Sequence, residues 1–286
     1  MIKEALVVNA KSSFFYCLID EEVVECRASK KLKLNKQKII SGDYVLVDID
    51  QDYITELLPR KNYLHRPEVS NVDAAMVIFS ATEPKISYML LDKMLLQMEI
   101  NGLDTVIVIT KMDLLDKQEQ ELIKDKLSYY QKIGYQVYYK HEDFDEIKTK
   151  IREKKYLLTG QSGVGKSTLI NELIPELNIK TQAISQVLNR GKHTTRELTF
   201  YPFNEGYLID SPGFSSLNLN VSCEVIRDHW REYQVLASEC KFNTCFHLSE
   251  PGCAIKAQIG QDPMYDQRYY NYQELMKEAK ESYANY

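Results

Sequence analysis

The chain has 286 residues, of which 44% are hydrophobic and 27% are charged, and its formal net charge is −5 at pH 7. This composition is typical of a globular protein with a buried core, and it excludes collagen-like, coiled-coil and largely disordered chains. The acidic balance excludes a general attraction to nucleic acid, so any RNA contact must come from local basic patches. No apolar run approaches the roughly 18 residues of a membrane helix, and the first ten residues lack a signal-peptide pattern. We therefore expect a cytoplasmic protein without membrane contact.

The N-terminal region consists of short β-rich segments separated by turns. Four of these segments lie at 6–10, 13–19, 22–28 and 43–49. About five strands in so short a region predict a small antiparallel barrel. We expect an OB-fold domain over residues 1–65.

A basic stretch lies between two of these strands. Residues 27–38 contain six lysine or arginine residues and no acidic residue. One interpretation is a solvated, lysine-rich hairpin, and the other is a loop that contacts the phosphates of a nucleic acid. Acidic stretches on both sides leave this domain close to neutral, so composition favours neither interpretation.

Beyond the N-terminal region, apolar runs alternate with helical stretches. The runs typical of strands buried on both faces lie at 74–80, 105–110, 135–139, 155–160 and 207–210, and helices are predicted at 86–100, 116–132 and 166–174. This alternation predicts a parallel α/β sheet. We assign it to a domain over 66–220 and predict a helical, tyrosine-rich domain over 221–286.

The most specific motif is GQSGVGKS, which matches the phosphate-binding pattern GxxxxGK[ST] between a predicted strand and a predicted helix. The glycines let backbone N–H groups close around the β- and γ-phosphates, and the helix N-terminus favours negative charge there. Lys166 adds a positive charge, and the hydroxyl of Ser167 is a ligand for Mg²⁺. The predicted nucleotide-binding residues of this segment are Gly160, Gln161, Ser162, Gly163, Val164, Gly165, Lys166, Ser167 and Thr168.

Two later segments have the chemistry needed to sense a γ-phosphate. Asp210 ends a predicted strand and begins the sequence DSPG, so its carboxylate can hold Mg²⁺ through water while the amide of Gly213 contacts the phosphate. The sequence GKHTT at 191–195 is a candidate switch segment, in which a threonine can complete the Mg²⁺ shell. We take Thr195 as the nucleotide-binding candidate, although spacing also permits Thr194. The alternative for this segment is an ordinary surface loop.

The sequence TKMD follows another predicted strand and resembles the [NT]KxD base-recognition motif of GTPases. The Asp113 carboxylate can accept hydrogen bonds from N1–H and the 2-amino group of guanine. Adenine has no such pair of donors, so it would leave a buried Asp113 unpaired. The aliphatic stem of Lys111 can cover the purine ring. The predicted base-binding residues are Thr110, Lys111, Met112 and Asp113.

The order of the motifs differs from that of a standard GTPase, because the base motif precedes the phosphate loop. Cutting and rejoining a doubly wound domain leaves its site intact when the original termini lie close together. The sequence therefore predicts a circularly permuted GTPase domain. The permutation places the switch segment directly before the C-terminal domain.

Four soft or borderline metal ligands lie close together in the C-terminal domain: Cys240, Cys245, His247 and Cys253. Three thiolates and one imidazole suit a closed, tetrahedral zinc site with a structural role. The alternative is a small core with three free thiols. Cys223 and His229 lie near enough in sequence to replace one of the four.

With these motifs in this order, the chain resembles the ribosome small-subunit-dependent GTPase A (RsgA) family of bacteria. The resemblance covers nearly the whole length, and it also includes LHRP at 64–67, NVD at 71–73 and DSPGF at 210–214. It implies an OB-fold, a permuted GTPase domain and a zinc-binding domain. It also implies GTP hydrolysis that the small ribosomal subunit stimulates late in its maturation. The implied cofactors are one structural Zn²⁺ and Mg²⁺ with GTP, the implied partner is the small subunit with its rRNA, and we expect a monomer.

The hydrolysis step departs from the common pattern. Phe214 stands where many GTPases have a water-orienting glutamine, so we expect slow intrinsic hydrolysis. The resemblance points instead to His193, and a neutral imidazole can accept a hydrogen bond from water. We expect the ribosome to order this segment. The alternative for His193 is a solvent-exposed side chain without a catalytic role.

Two rival functions follow from the same motifs. A phosphate-loop ATPase or kinase is disfavoured because Asp113 selects guanine. A nucleotide-gated rRNA-binding assembly factor, whose GTP turnover is incidental, is the stronger rival.

Overall fold

The computed structural model describes residues 1–11, 13–34, 38–177, 197–213 and 216–284. The chain divides into two compact units, each built from two distant segments. The first unit comprises Met1–Ala75 and Asp145–Gly213, and the second comprises Met76–Phe144 and Phe214–Tyr286. The three-domain division at residues 65 and 220 stays a prediction.

The strands of the described residues are β1 (Ile2–Ala10), β2 (Phe15–Ile19), β3 (Glu22–Ala28), β4 (Tyr44–Asp48), β5 (Tyr53–Leu57), β6 (Tyr63–His65), β7 (Glu68–Ser70), β8 (Ala74–Ser80), β9 (Asp104–Thr110), β10 (Gln136–Tyr139), β11 (Lys155–Gly160), β12 (Thr199–Phe203) and β13 (Gly206–Asp210). Their helices are α1 (Lys30–Leu34), α2 (Tyr88–Ile100), α3 (Lys117–Lys132), α4 (Phe144–Lys150), α5 (Lys166–Leu173), α6 (Cys223–His229), α7 (Tyr233–Leu236) and α8 (Pro263–Ala284). Within this described part of the chain, no helix combines the length and apolar character that a membrane span requires.

The first five strands form a closed barrel in the order β1-β2-β3-β5-β4, and β4 pairs with β1 to complete it. A parallel pairing of β3 with β5 joins two otherwise antiparallel sections. Alternate residues fill the interior, among them Cys17, Cys26, Val47 and Ile54, none of which is exposed. A barrel of this size has an interior that side chains must fill. The predicted N-terminal barrel is confirmed.

The described part of the basic stretch leaves β3 and forms a short helix, α1, where one interpretation expected a hairpin. Leu32 belongs to the barrel core, which anchors one side of the helix. Lys30 and Lys31 are exposed on the other side. Of the two leucines in this helix, Leu32 is 4% exposed and Leu34 is 80% exposed, so only Leu32 anchors the helix.

A short hairpin, β6–β7, closes against the turn before β4. The buried carboxylate of Asp43 accepts hydrogen bonds from Nε of Arg60 at 2.7 Å and from Oγ of Ser70 at 2.6 Å. Gly42 has φ +92°, and a Cβ atom there would lie 2.1 Å from the carbonyl oxygen of Ser70. Only glycine fits this close approach of two backbone segments.

In the remainder of the first unit, β11 pairs with β13 in parallel and β13 pairs with β12 antiparallel. Helix α5 packs against β11 and β13. The sequence patterns did not predict β12. Pro202 lies inside this strand, and proline in a strand is typical of an edge position.

In the second unit, β9 lies between β10 and β8, and β10 pairs with β9 in parallel. Helix α8 packs against α2, α3 and α6. All seven residues of β8 are buried, as are the last six of β9. These runs are the doubly buried strands that the sequence predicts.

Replacing Gly42 tests the contact between the barrel turn and the hairpin. Gly42→Ala should lower the free energy of unfolding by about 3 kcal/mol, because it adds left-handed strain to a steric clash with the Ser70 backbone. The matched control is Gly102→Ala, which has φ +62° and nothing within 4 Å of the added methyl group. The control should cost about 1 kcal/mol. Urea denaturation followed by circular dichroism measures both, and equal losses would contradict the proposed clash.

Candidate functional site

The phosphate-binding sequence forms a tight loop in the first unit, between β11 and α5. Gly163 has φ +81° and Gly165 has φ +96°, which side chains rarely tolerate. Gly165 is also the N-terminal cap of α5. Ser167 and Thr168 are exposed in the first turn of this helix. The backbone of the loop itself thus requires glycine at positions 163 and 165.

The side chain of Lys166 lies over this loop. Its Nζ donates hydrogen bonds to the carbonyl oxygens of Gly160 at 3.1 Å and Gln161 at 3.0 Å. Burial lowers the pKa of Lys166, and the nearby carboxylate of Asp210 opposes that shift. An anion bound in the loop would favour the charged ammonium further. Lys166 therefore lies where a bound phosphate would stabilise its protonated form.

The second phosphate-sensing segment lies directly against the loop. Asp210 is 3% exposed at the end of β13, and it is the register partner of Leu158 in β11. A Cβ atom on Gly213 would lie 2.7 Å from both N and Cα of Ser162. Only glycine permits this approach, so the packing of the phosphate loop requires the last residue of the DSPG sequence.

The base motif forms a compact turn in the second unit. Thr110, at the end of β9, donates through Oγ1 to the carbonyl oxygen of Phe79 at 3.2 Å. Lys111 has φ +60°, which turns the chain into a short 3₁₀ helix over Met112–Leu114. This turn buries Met112 and exposes Asp113, whereas the sequence argument treated Asp113 as buried. The carboxylate is therefore accessible to a base.

A second loop, for which the sequence analysis names no residues, lies next to the base motif between β10 and α4. Because β10 pairs in parallel with β9, residues 140–143 emerge at the same edge as Thr110. The amide of Lys140 donates to the carbonyl oxygen of Ile109 at 2.9 Å. Asp143 accepts from the amide of Tyr139 at 2.7 Å, which closes the turn. The loop has no recognisable sequence motif. Its position follows from the parallel pairing of β10 with β9.

The candidate switch segment lies outside the described residues. This applies to His193, Thr194 and Thr195 alike. Their predicted roles stay predictions.

The Cys/His residues form a cluster in the second unit. The four ligand atoms all lie within 4.8 Å of one another, and all four residues are buried. The Sγ atoms of Cys240 and Cys253 are 3.9 Å apart, and Nδ1 of His247 lies 3.6 Å and 3.4 Å from them respectively. Tetrahedral zinc with ordinary bond lengths places two sulfurs about 3.8 Å apart and a sulfur and nitrogen about 3.6 Å apart. The donor set therefore fits a tetrahedral metal ion.

The cluster excludes the two substitutes that the sequence allowed. Sγ of Cys223 donates to the carbonyl oxygen of Met276 at 3.6 Å, and Nδ1 of His229 lies 2.9 Å from the carbonyl oxygen of Val225. Both side chains are thus engaged elsewhere.

Helix α8 holds the backbone of the cluster. Three tyrosine hydroxyls donate to carbonyl oxygens of the cluster loops: Tyr265 to Ile255 at 2.6 Å, Tyr269 to His247 at 2.8 Å, and Tyr272 to Phe246 at 2.9 Å. The three tyrosines are spaced four and three residues apart, so they share one face of the helix. Burial lowers the pKa of His247 and raises that of Cys245 to about 12. A neutral imidazole is the form that ligates metal, and a cation compensates for burying thiolate charge.

These loops and the cluster can be compared with known proteins. A model of the family described as RsgA GTPase matches residues 57–220, which contain both nucleotide loops. The chain belongs to the RsgA GTPase family.

Curated relatives in the RsgA GTPase family align over nearly the whole chain. The protein named small ribosomal subunit biogenesis GTPase RsgA from Caldanaerobacter subterraneus subsp. tengcongensis is 36% identical over 96% of this chain and 95% of its own length. The protein of the same name from Latilactobacillus sakei is 38% identical, with the same coverage of each chain.

Two solved structures show the same architecture. The crystal structure of YloQ, described as a circularly permuted GTPase, has a TM-score of 0.79 and 33% identity, and covers 98% of this chain and 96% of that one. YjeQ from Thermotoga maritima has a TM-score of 0.80 and 28% identity over 98% and 99%. The predicted fold class is confirmed: a barrel, a permuted GTPase α/β domain and a C-terminal helical region with a Cys₃His cluster.

Metal analysis tests the cluster in this RsgA GTPase. The purified chain should contain one equivalent of bound divalent metal, and Cys253→Ser should reduce that amount about tenfold or more, because it removes one of four ligands. Cys223→Ser is the matched control and should retain the metal. Elemental analysis after exhaustive dialysis measures both. Metal loss in the control, or retention in Cys253→Ser, would show that the ligand set is different.

Proposed function

We propose that this chain is a GTPase that acts in the biogenesis of the small ribosomal subunit. The observation that carries the proposal is the approach of Gly213 to the backbone of Ser162. This contact brings the phosphate-binding loop next to Asp210, the carboxylate at the end of β13. Nucleoside triphosphatases use such an arrangement to hold Mg²⁺ and to detect the γ-phosphate. The names of the curated relatives support the ribosomal role.

In this proposal each segment contributes one part of nucleotide binding. Backbone amides of 160–168 and the Lys166 ammonium bind the phosphates, and their positive potential stabilises charge that develops on the transferred group. Ser167 and Asp210 hold Mg²⁺, with Thr195 completing its shell. When bound, Mg²⁺ neutralises charge on the β- and γ-phosphates. Residues 110–113 bind guanine, chiefly through the carboxylate of Asp113.

The metal of the Cys₃His cluster is proposed to be one structural Zn²⁺. Its four ligands are Cys240, Cys245, His247 and Cys253, and a site with four protein ligands has no open position for substrate. Hydrogen bonds from α8 hold the loops that carry these ligands. The metal would therefore stabilise the C-terminal region and take no part in hydrolysis.

We propose that rRNA of the small subunit contacts the barrel, since Lys30 and Lys31 are exposed on α1 beside it. Binding is proposed to order the segment that contains His193, whose imidazole then orients the attacking water. The chain is proposed to act as a monomer in the cytoplasm, where bacterial ribosomal subunits assemble.

Hydrolysis assays with purified ribosomal subunits test the function. Small subunits should stimulate hydrolysis of GTP but not of ATP, and large subunits should have no effect. Lys166→Ala should lower GTP turnover about a hundredfold, because it removes charge stabilisation at the phosphates. His193→Ala should lower the stimulated rate about a hundredfold while GTP affinity is kept.

Three outcomes would contradict parts of this proposal. Tight GTP binding without stimulation would favour a nucleotide-gated assembly factor whose turnover is incidental. Full stimulated turnover in His193→Ala would remove its role. Equal hydrolysis of ATP would remove guanine selection.

Exchange of the base-binding carboxylate tests guanine recognition directly. Asp113→Asn should weaken GDP binding about a hundredfold or more, because an amide cannot accept both guanine donors. The same variant should gain affinity for xanthosine diphosphate, whose C2 carbonyl can accept from the new amide. Fluorescence titration of both nucleotides measures the exchange, with Asp116→Asn, the cap of α3, as the control. Unchanged preference in Asp113→Asn would place base recognition elsewhere.

A further inference from the structure

A buried carboxylate in the middle of α2 joins three helices. Asp92 is 1% exposed. Its oxygens accept hydrogen bonds from the hydroxyl of Tyr130 on α3 at 2.9 Å and from Nδ2 of Asn271 on α8 at 2.7 Å. The guanidinium of Arg268, also on α8, donates to the same carboxylate. Helices α2, α3 and α8 therefore meet at one charged group.

Arg268 extends this network to a second carboxylate. It is 2% exposed, and its Nε and Nη2 atoms donate to Glu232 at 2.7 Å and 2.8 Å. Its guanidinium also lies over the rings of Trp230 and Tyr130, at 4.8 Å and 5.0 Å. One planar side chain thus bridges two buried carboxylates. A lysine in its place lacks the fork geometry to reach both.

The base motif is held by the segment that leads into α2 and by the start of α3. The segment that enters α2 contributes two contacts: the amide of Ala81 donates to the carbonyl oxygen of Thr110 at 2.9 Å, and Nζ of Lys111 donates to that of Glu83 at 2.6 Å. From the first turn of α3, Nε2 of Gln120 donates to the carbonyl oxygens of Met112 at 3.0 Å and Leu115 at 3.1 Å. The loop is therefore held on one side by the segment that leads into α2 and on the other by the first turn of α3.

We propose that Arg268 is a positioning residue for guanine recognition, and that it acts through Asp92 on the helices that hold residues 110–115. The proposal rests on the proposed function, in which Asp113 binds the base. It assigns the C-terminal helix a role in nucleotide specificity, although Arg268 lies far from the base motif in sequence. Arg268, Asp92 and residues 110–115 all belong to the second compact unit, whereas the phosphate loop belongs to the first.

Another ion pair joins α2 to α8 and supplies a control. Lys93 pairs with Glu278 at 2.8 Å, and Glu278 is about half exposed. This pair lies on the same two helices but makes no contact with Asp92 among the hydrogen bonds of the described residues. Loss of the pair removes a charged contact from the interface and leaves the buried network intact.

Nucleotide titrations on the full chain separate base recognition from phosphate binding. The probes are GDP, inosine diphosphate, which lacks the 2-amino group, and inorganic tripolyphosphate. Arg268→Lys should reduce the preference for GDP over inosine diphosphate about fivefold, since a displaced loop misaligns Asp113 with the 2-amino group. Affinity for tripolyphosphate should change less than about twofold. The control Glu278→Gln should retain the preference of the wild type.

Hydrogen exchange adds a readout that a general loss of stability would not reproduce. Amides of 110–115 should exchange faster in Arg268→Lys, whereas those of 160–167 should exchange at the wild-type rate. Tyr130→Phe deletes one hydrogen bond to Asp92 and keeps the ring, so it replaces Arg268→Lys if that variant does not fold. In Tyr130→Phe, amides of 110–115 should also exchange faster than in the wild type, but by a smaller factor than in Arg268→Lys.

The outcomes distinguish this inference from the proposed function. A folded Arg268→Lys or Tyr130→Phe variant with wild-type GDP preference and wild-type exchange at 110–115 would overturn the positioning role alone. An equal loss of the GDP preference in Glu278→Gln would also overturn it, because weakening any contact between α2 and α8 would then have the same effect. A wild-type chain with no preference for GDP over inosine diphosphate would overturn the proposed base recognition and, with it, this inference.

Discussion

Parallel strand pairing is the constraint on which both nucleotide loops depend. When two strands pair in parallel, their carboxyl ends lie at one edge, and the loops that follow are neighbours. The pairing of β11 with β13 places the phosphate loop beside Asp210 and Gly213 in the first unit. The pairing of β10 with β9 places residues 140–143 beside the base motif in the second. The residues of each loop determine its backbone conformation, and strand pairing determines which other segment lies beside it.

Helix α8 makes hydrogen bonds both to the loops of the metal cluster and to Asp92 of α2. One face presents Tyr265, Tyr269 and Tyr272, whose hydroxyls hold the loops that carry the metal ligands. Another presents Arg268 and Asn271 to the buried carboxylate of Asp92. The 3.6-residue repeat of the helix separates these two sets in space although they interleave in sequence. The C-terminal region is part of the second compact unit.

The barrel has its own connections within the first unit. Nζ of Lys155, the first residue of β11, donates to the hydroxyl of Tyr44 at 3.0 Å, and its amide donates to Asp73 at 2.9 Å. On the other side, Nδ2 of Asn9 donates to Glu197 at 2.8 Å, just before β12. These contacts join the barrel to the two strands that flank β13.

The sequence by itself determined the loops and the ligand set, because their chemistry is local. Glycines at left-handed positions, the lysine and serine after them, the TKMD turn and four clustered ligands are each contained in a few consecutive residues. The strands β8, β9 and β11 were also predictable from apolar runs buried on both faces. Only the tertiary structure decided that Gly213 lies against Ser162, that the segment around Pro202 forms the edge strand β12, and that Asp113 is exposed. It alone paired Asp92 with Arg268, which are 176 residues apart. Such pairs have no sequence signal, since burial and partner choice arise only when distant helices pack together.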